Sequence, residues 1–170
     1  MSTEARSVPE ISREDQDLAR YEDARRLANF AMWAVELQVL RLRSGERQIA
    51  DFKQQPLFDF HALLTALCRL RGAARLATTI CRIDDAIVDF DSRMPWLRKM
   101  RNTLEHYDEY REGKGQNRTV NLSQLEVFHF ETDSITWLDE KVELAVTVDA
   151  SAQLFSAIRN NPPAGWRGDA

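Results

Sequence analysis

The chain has 170 residues, 44% of them hydrophobic and 29% charged, with a formal net charge of −4 at pH 7. This length suits one domain that buries a substantial core. The acidic balance excludes a surface coated in basic residues for indiscriminate nucleic-acid binding, so any contact with nucleic acid must be local. No apolar run approaches the roughly 20 residues that cross a bilayer, and the polar start Met1-Ser2-Thr3-Glu4 carries no secretory signal. A cytoplasmic protein without membrane contact is expected.

A polar arm over 1–11 is expected to be disordered, and a single domain to run over 12–160. Ser12 followed by Asp15 reads as an approximate capping box, after which Leu18, Tyr21, Ala28, Met32, Val35, Val39 and Leu42 recur at helical spacing over about 12–44. Glu46 to Pro56 is polar and reads as a connection. From 57 to about 91 the positions Phe60, Leu63, Leu67, Leu70, Ala74, Ala77, Ile80, Ile83 and Ile87 keep spacings of three and four. They describe one long helix or two nearly collinear ones, with Gly72 as the place for a kink. Cys68 and Cys81 fall in this stretch about 20 Å apart along the axis, beyond disulfide reach and without metal-ligand neighbours. Both read as small core residues.

Ser92 as cap, Pro95 in the first turn and Gly113 as terminator frame a third helix over about 94–112. Beyond a glycine- and asparagine-rich loop, Leu125 to Phe130, Ile135 to Leu138 and the alternation of Val142, Leu144, Val146 and Val148 predict a small antiparallel meander over about 125–148. Asp149 then caps a short last helix over about 150–160, which Asn160-Asn161-Pro162-Pro163 ends. The tail, 161–170, is expected to be flexible. The fold class is therefore mainly α: long antiparallel helices, a small C-terminal antiparallel meander and a short last helix.

The third helix carries the polar residues with chemistry. At 100° per residue, Leu97, Met100, Leu104 and Tyr107 form a core-facing stripe. Arg101 and His106 fall on either flank of the opposite face, about 140° apart, so they cannot simply pair within one helix. Asn102 and His106 are neighbours four apart, and the Asn amide could orient the imidazole. Arg101 offers a fork of donors suited to phosphate oxygens, and His106 has the side chain best suited to proton transfer near neutral pH. Arg93, Arg98, Lys99, Arg111, Lys114 and Arg118 surround them as possible phosphate contacts, of which Arg98, Lys99, Arg111 and Lys114 are the candidate substrate-binding residues.

There is no glycine-rich phosphate loop, no His-Glu-x-x-His pair and no Gly-x-Ser-x-Gly elbow. No metal or cofactor is called for. His61 and His129 read as structural, Trp33, Trp96 and Trp137 as core or interface anchors, and Arg167-Gly168-Asp169 as a chance tripeptide.

Arg101-Asn102-Thr103-Leu104-Glu105-His106 resembles the arginine, polar residue, three variable residues, histidine signature of the HEPN superfamily. The resemblance implies a small helical bundle with the motif near the start of a late helix. It also implies a metal-independent ribonuclease, often a toxin or phage-defence effector, working as a homodimer whose two motifs line one cleft. On it, Arg101 would stabilise charge on the scissile phosphate of RNA, His106 would act as general base or acid, and Asn102 would orient them. A regulatory antitoxin is a possible partner. Some members carry a tyrosine two residues after the histidine, where this chain has Asp108, so a partner that modifies that tyrosine is not implied. Two other readings stand beside this one: an ion-paired, solvated helix face, in which Glu105, Asp108, Glu109 and Glu112 neutralise the basic residues, and a non-catalytic helical protein-interaction module of the same shape.

Overall fold

The computed structural model describes residues 12–44 and 54–167. The arm over 1–11, most of the connection after Gly45 and the last three residues lie outside the described residues.

Helix α1 spans Arg13–Ser44. Its start keeps one of the two bonds of a capping box, the Asp15 amide donating to Ser12 Oγ at 3.1 Å, while the Asp15 carboxylate accepts from the Ser12 hydroxyl at 2.6 Å and not from the Ser12 amide. Tyr21, Ala24, Ala28, Ala31, Met32, Val35 and Val39 are buried along one face. That face packs on α2, Gln55–Thr78, which opens with Pro56 in its first turn, where a missing N–H costs nothing. Arg41 of α1 and the buried Asp59 of α2 form an ion pair at 2.9 Å across this contact.

The second predicted helix is two helices. The break falls at 79–83, not at Gly72, which sits inside α2 with open space where a Cβ would project. Thr78 and Thr79 at the break return their hydroxyls to the carbonyls of Arg75 and Leu76, competing with continuation of the backbone ladder. Helix α3, Asp84–Arg93, then turns back along the bundle. Ser92, expected as a cap, belongs to this helix. Arg71 of α2 grips Asp91 of α3 through two parallel bonds of 2.6 Å, Nε to Oδ1 and Nη2 to Oδ2.

The third predicted helix also divides, into α4, Leu97–Glu105, and α5, Tyr107–Arg111. A single turn, α6, Leu122–Leu125, follows, held by a capping box between Asn121 and Gln124. The sheet is a three-stranded antiparallel meander in the order β1 (Phe128–Phe130), β2 (Ser134–Trp137), β3 (Glu140–Glu143). Phe128 pairs with Trp137 and Ile135 with Val142. The two-residue turn between β2 and β3 holds Leu138 and Asp139 at φ 54° and 61°, the left-handed pair that a tight hairpin turn needs. Neither residue is the glycine or asparagine such a turn prefers; burial of Leu138 offsets the strain. Trp137 is fully buried edge-on to Phe60 at 6.2 Å, so the sheet closes one end of the helical core.

The meander ends sooner than its alternation predicts. Leu144–Asn160 is one 17-residue helix, α7, and 144–148 form its first turns. Leu144, Thr147, Ser151, Leu154 and Ile158 are buried at spacings of three and four, so the helical period wins over the β-branched alternation of Val146 and Val148. Asp149 lies inside this helix and does not cap it; its carboxylate accepts from Arg93 Nη2 at 2.5 Å. Part of the tail packs back on α1. Trp166 packs edge-on against Tyr21 at 5.4 Å beneath the Arg25 guanidinium, and Tyr21 donates its hydroxyl proton to the Ile158 carbonyl at 2.9 Å. The result is a helical bundle of α1, α2, α3 and α7, with α4 against α2 and the sheet at one end.

Candidate functional site

Helix α4 is short and strongly two-faced. Leu97, Met100 and Thr103 are buried, Leu104 and Tyr107 are half-buried, and Arg98 and Arg101 are exposed. The stripe expected from the projection is present, with Thr103 added to it: its hydroxyl bonds back to the Lys99 carbonyl at 3.0 Å, which lets a polar side chain be buried.

Between α4, α2 and α3 lies an open cavity of about 710 Å³. Four guanidinium groups border it, Arg71 and Arg75 from α2 and Arg98 and Arg101 from α4, together with Asn102 and Asp91. Arg71 is committed to Asp91. Arg101 is held by Glu105, one turn on, at 2.8 Å and 2.9 Å. Among the described residues, Arg75 and Arg98 have no carboxylate partner. The groove therefore carries uncompensated positive charge in a protein whose net charge is negative. Cys68 stands in its wall. Burial raises the Cys68 thiol pKa despite the nearby Arg101, so the sulfur is protonated at neutral pH and is no nucleophile.

His106 is not among the groove's lining residues. It stands at the break between α4 and α5, at φ −116° and ψ 31°, and caps α4 by donating its amide to the Asn102 carbonyl. The break changes the angle at which a continuous helix would hold the imidazole. It also gives the ring a partner other than the expected one: Nδ1 meets Glu109 Oε1 at 3.0 Å. A carboxylate only accepts, so the proton sits on Nδ1 and Nε2 is the nitrogen left for chemistry. Asn102 turns to the groove instead, and no hydrogen bond links its amide to His106.

The candidate substrate-binding residues separate. Arg98 lines the groove. Lys99 is half-buried and donates Nζ to the Leu138 carbonyl at 2.8 Å, with Glu140 at 3.2 Å, so it fastens α4 to the hairpin turn. Arg111 is paired with Glu126, and its pKa is raised by Tyr107 first and then by Glu126. Lys114 pairs with Glu112 at 2.7 Å and borders a separate depression with Arg118. Two groove residues, Arg71 and Arg75, escaped the sequence reading. Their spacing of four marks one helix face, but only the packing of α4 on α2 reveals that this face meets Arg98 and Arg101.

Among the described residues, no three His, Cys, Asp or Glu side chains stand close enough to hold a metal ion. Among them no helix is long and apolar enough to cross a membrane. Comparison of the whole chain with family models, characterised proteins and solved structures returns no match.

Proposed function

We propose that this protein binds single-stranded RNA in the arginine-lined groove and cleaves it as a metal-independent endoribonuclease of HEPN type. The observation that carries the reading is the convergence of Arg75, Arg98 and Arg101 with Asn102 on one open groove. Guanidinium forks match the paired oxygens of phosphodiesters, and Asn102 adds an amide to the same wall. Arg101 would stabilise the charge that builds on the non-bridging oxygens during attack.

In the reaction the ribose 2′-hydroxyl attacks phosphorus. Nε2 of His106 takes the hydroxyl proton as the O2′–P bond forms and the P–O5′ bond breaks, and a protonated His106 from a second chain returns a proton to O5′. The products are a 2′,3′-cyclic phosphate and a 5′-hydroxyl. Glu109, on Nδ1, holds the tautomer that this role requires. Because His106 stands outside its own chain's groove, the reading calls for a homodimer in which two motifs share one cleft. Such an enzyme fits a toxin or phage-defence effector restrained by an antitoxin or other regulatory protein in the cytoplasm.

The test is cleavage of a labelled single-stranded RNA by the purified chain in EDTA, wild type against His106→Ala. Loss of cleavage with fold and oligomeric state unchanged is the expected result; equal cleavage by both proteins refutes the assignment. A second reading, a non-catalytic helical module that docks a protein partner, is favoured by one feature: Arg101 and His106 are each paired with a neighbouring carboxylate. RNA left intact by the wild-type chain, with a protein partner retained, would establish it.

A further inference from the structure

The outward face of α2 runs between two different walls. On one side α4 brings Arg98, Arg101 and Asn102 to the arginine groove. On the other, α1 borders a depression of about 470 Å³ with Phe30, Ala31, Ala34 and Gln38. Its floor on α2, Ala62 and Ala66, is as small as its wall. Two rings rise from the same depression, Phe30, 58% exposed, and Phe58, 61% exposed. With the two helices antiparallel and Arg41 set against Asp59, Phe30 lies 11 residues before Arg41 and Phe58 one before Asp59. At 1.5 Å per residue the rings are therefore about 18 Å apart, one at each end. They cannot grip one flat molecule between them; each offers an aromatic face of its own.

The depression opens into the groove. Thr65 and Arg69 border the depression, Cys68 and Gly72 the groove, and residues three apart are neighbours on a helix surface. At Gly72 nothing lies within 4 Å of where a Cβ would project, so no side chain blocks the passage from Arg69 to Arg75. In the register set by Arg41 and Asp59, Arg69 lies level with Ala31, which puts the opening at the Phe30 end.

Charge along this path has one sign. Among the described residues Arg69, Arg75 and Arg98 have no carboxylate partner, and no Asp or Glu borders the depression. An apolar surface alone would accept any apolar partner. One that leads out of a row of unpaired guanidinium groups selects an occupant with negative charge and flat rings in regular succession. Single-stranded nucleic acid carries both in every residue, because each phosphate is followed by a base with a π face. Arg69, at the junction, can donate its fork to a base edge or lie flat on the ring.

We infer that the depression between α1 and α2 is a base-stacking subsite for single-stranded RNA whose phosphates lie in the arginine groove, with one base on Phe30 beside Arg69 and another on Phe58. This deepens the proposed function and rests on it for the occupant of the groove, but not for cleavage. The subsite selects strandedness rather than sequence. A duplex keeps its ring faces inside its own stack, whereas any unpaired base can lie on a phenylalanine.

Fluorescence anisotropy with two uncleavable strands of equal length and charge supplies the test: a 2′-O-methyl RNA, and an oligomer of the same backbone without bases. Wild type should prefer the strand with bases by about 30-fold, two stacked bases at the low end of their usual contribution. Phe30→Ala with Phe58→Ala, both outside the core, should abolish that preference at unchanged helicity, and Phe30→Tyr with Phe58→Tyr should keep it. The alanine variant should also keep the wild-type salt slope, since no phosphate contact is lost. Equal affinity of wild type for both strands, an alanine variant that binds like wild type, or a tyrosine variant as weak as the alanine one overturns the inference. Cleavage of RNA by a wild type without base preference removes this inference and keeps the ribonuclease reading. A base preference lost in the alanine variant, with no cleavage by wild type, does the reverse. A chain that binds neither strand removes both and leaves the exposed rings to the protein-docking reading.

Discussion

Replacing Arg75 and Arg98 together by Gln should flatten the response of RNA binding to salt as well as weaken binding. Three groove cations can reach phosphates: Arg75 and Arg98, which lack carboxylate partners among the described residues, and Arg101. The Arg101–Glu105 pair is about half exposed on both sides, so breaking it costs no more than about 1 kcal/mol. Arg71 is excluded by its two bonds to Asp91. Each phosphate neutralised on a single strand adds about −0.7 to the slope of log affinity against log salt, so three contacts give a slope near −2.1. Between about 50 and 200 mM salt the wild type then loses about 18-fold in affinity, whereas the double variant, with one contact left, loses about threefold. Fluorescence anisotropy with a labelled 2′-O-methyl RNA, which cannot be cleaved by 2′-hydroxyl attack, measures both slopes. Lys114→Gln, in a separate depression, should keep the wild-type slope. Equal slopes for wild type and double variant would show that RNA does not lie in this groove.

Two further predictions concern the scaffold. Asp59→Ala removes the fully buried carboxylate that pairs with the Arg41 guanidinium at 2.9 Å between α1 and α2; a loss of about 3 kcal/mol is expected in urea unfolding, the low end for a broken buried pair because Arg41 is a quarter exposed and water reaches part of it. A loss below about 1 kcal/mol would mean that the pair is effectively solvated. His61 packs against Phe128 and Trp137, and burial lowers its pKa below 6.5. The folded state therefore binds fewer protons than the unfolded one, so its contribution is complete above about pH 6.5 and is lost as pH falls from there through the lowered folded value. Comparing urea midpoints at pH 7.5 and 5.5, His61→Gln should lose less stability on acidification than wild type; parallel losses would remove His61 as a source of acid sensitivity.

How much of this was legible in the sequence depended on whether a signal was local. The start of α1 was legible because Ser12 and Asp15 satisfy each other within one turn. The break after Thr78 was hidden because Ala77, Ile80 and Ile83 keep helical spacing through it: the core takes the same side chains from a bent chain as from a straight one. At the start of α7 two periods coexist, Leu144-Val146-Val148 with a repeat of two and Leu144-Thr147-Ser151 with a repeat near 3.6. The helix prevails because its buried series continues through Leu154 to Ile158. The groove was only half visible. Arg98, Arg101 and Asn102 share one helix, but Arg71 and Arg75 reach it through tertiary packing that no spacing encodes.

The clasp of Tyr21 on Ile158 and Trp166 has a consequence for synthesis. Helix α1 is made first, yet the partner for its Tyr21 hydroxyl lies 137 residues downstream. At 5–20 residues per second that partner emerges roughly 7 to 27 s later. During that interval α1 can settle on α2, while the flank destined for α7 stays bare and the exposed Leu27, Phe30, Trp33, Leu37 and Leu40 of α1 are already on display. A nascent chain therefore presents apolar surface on two sides at once.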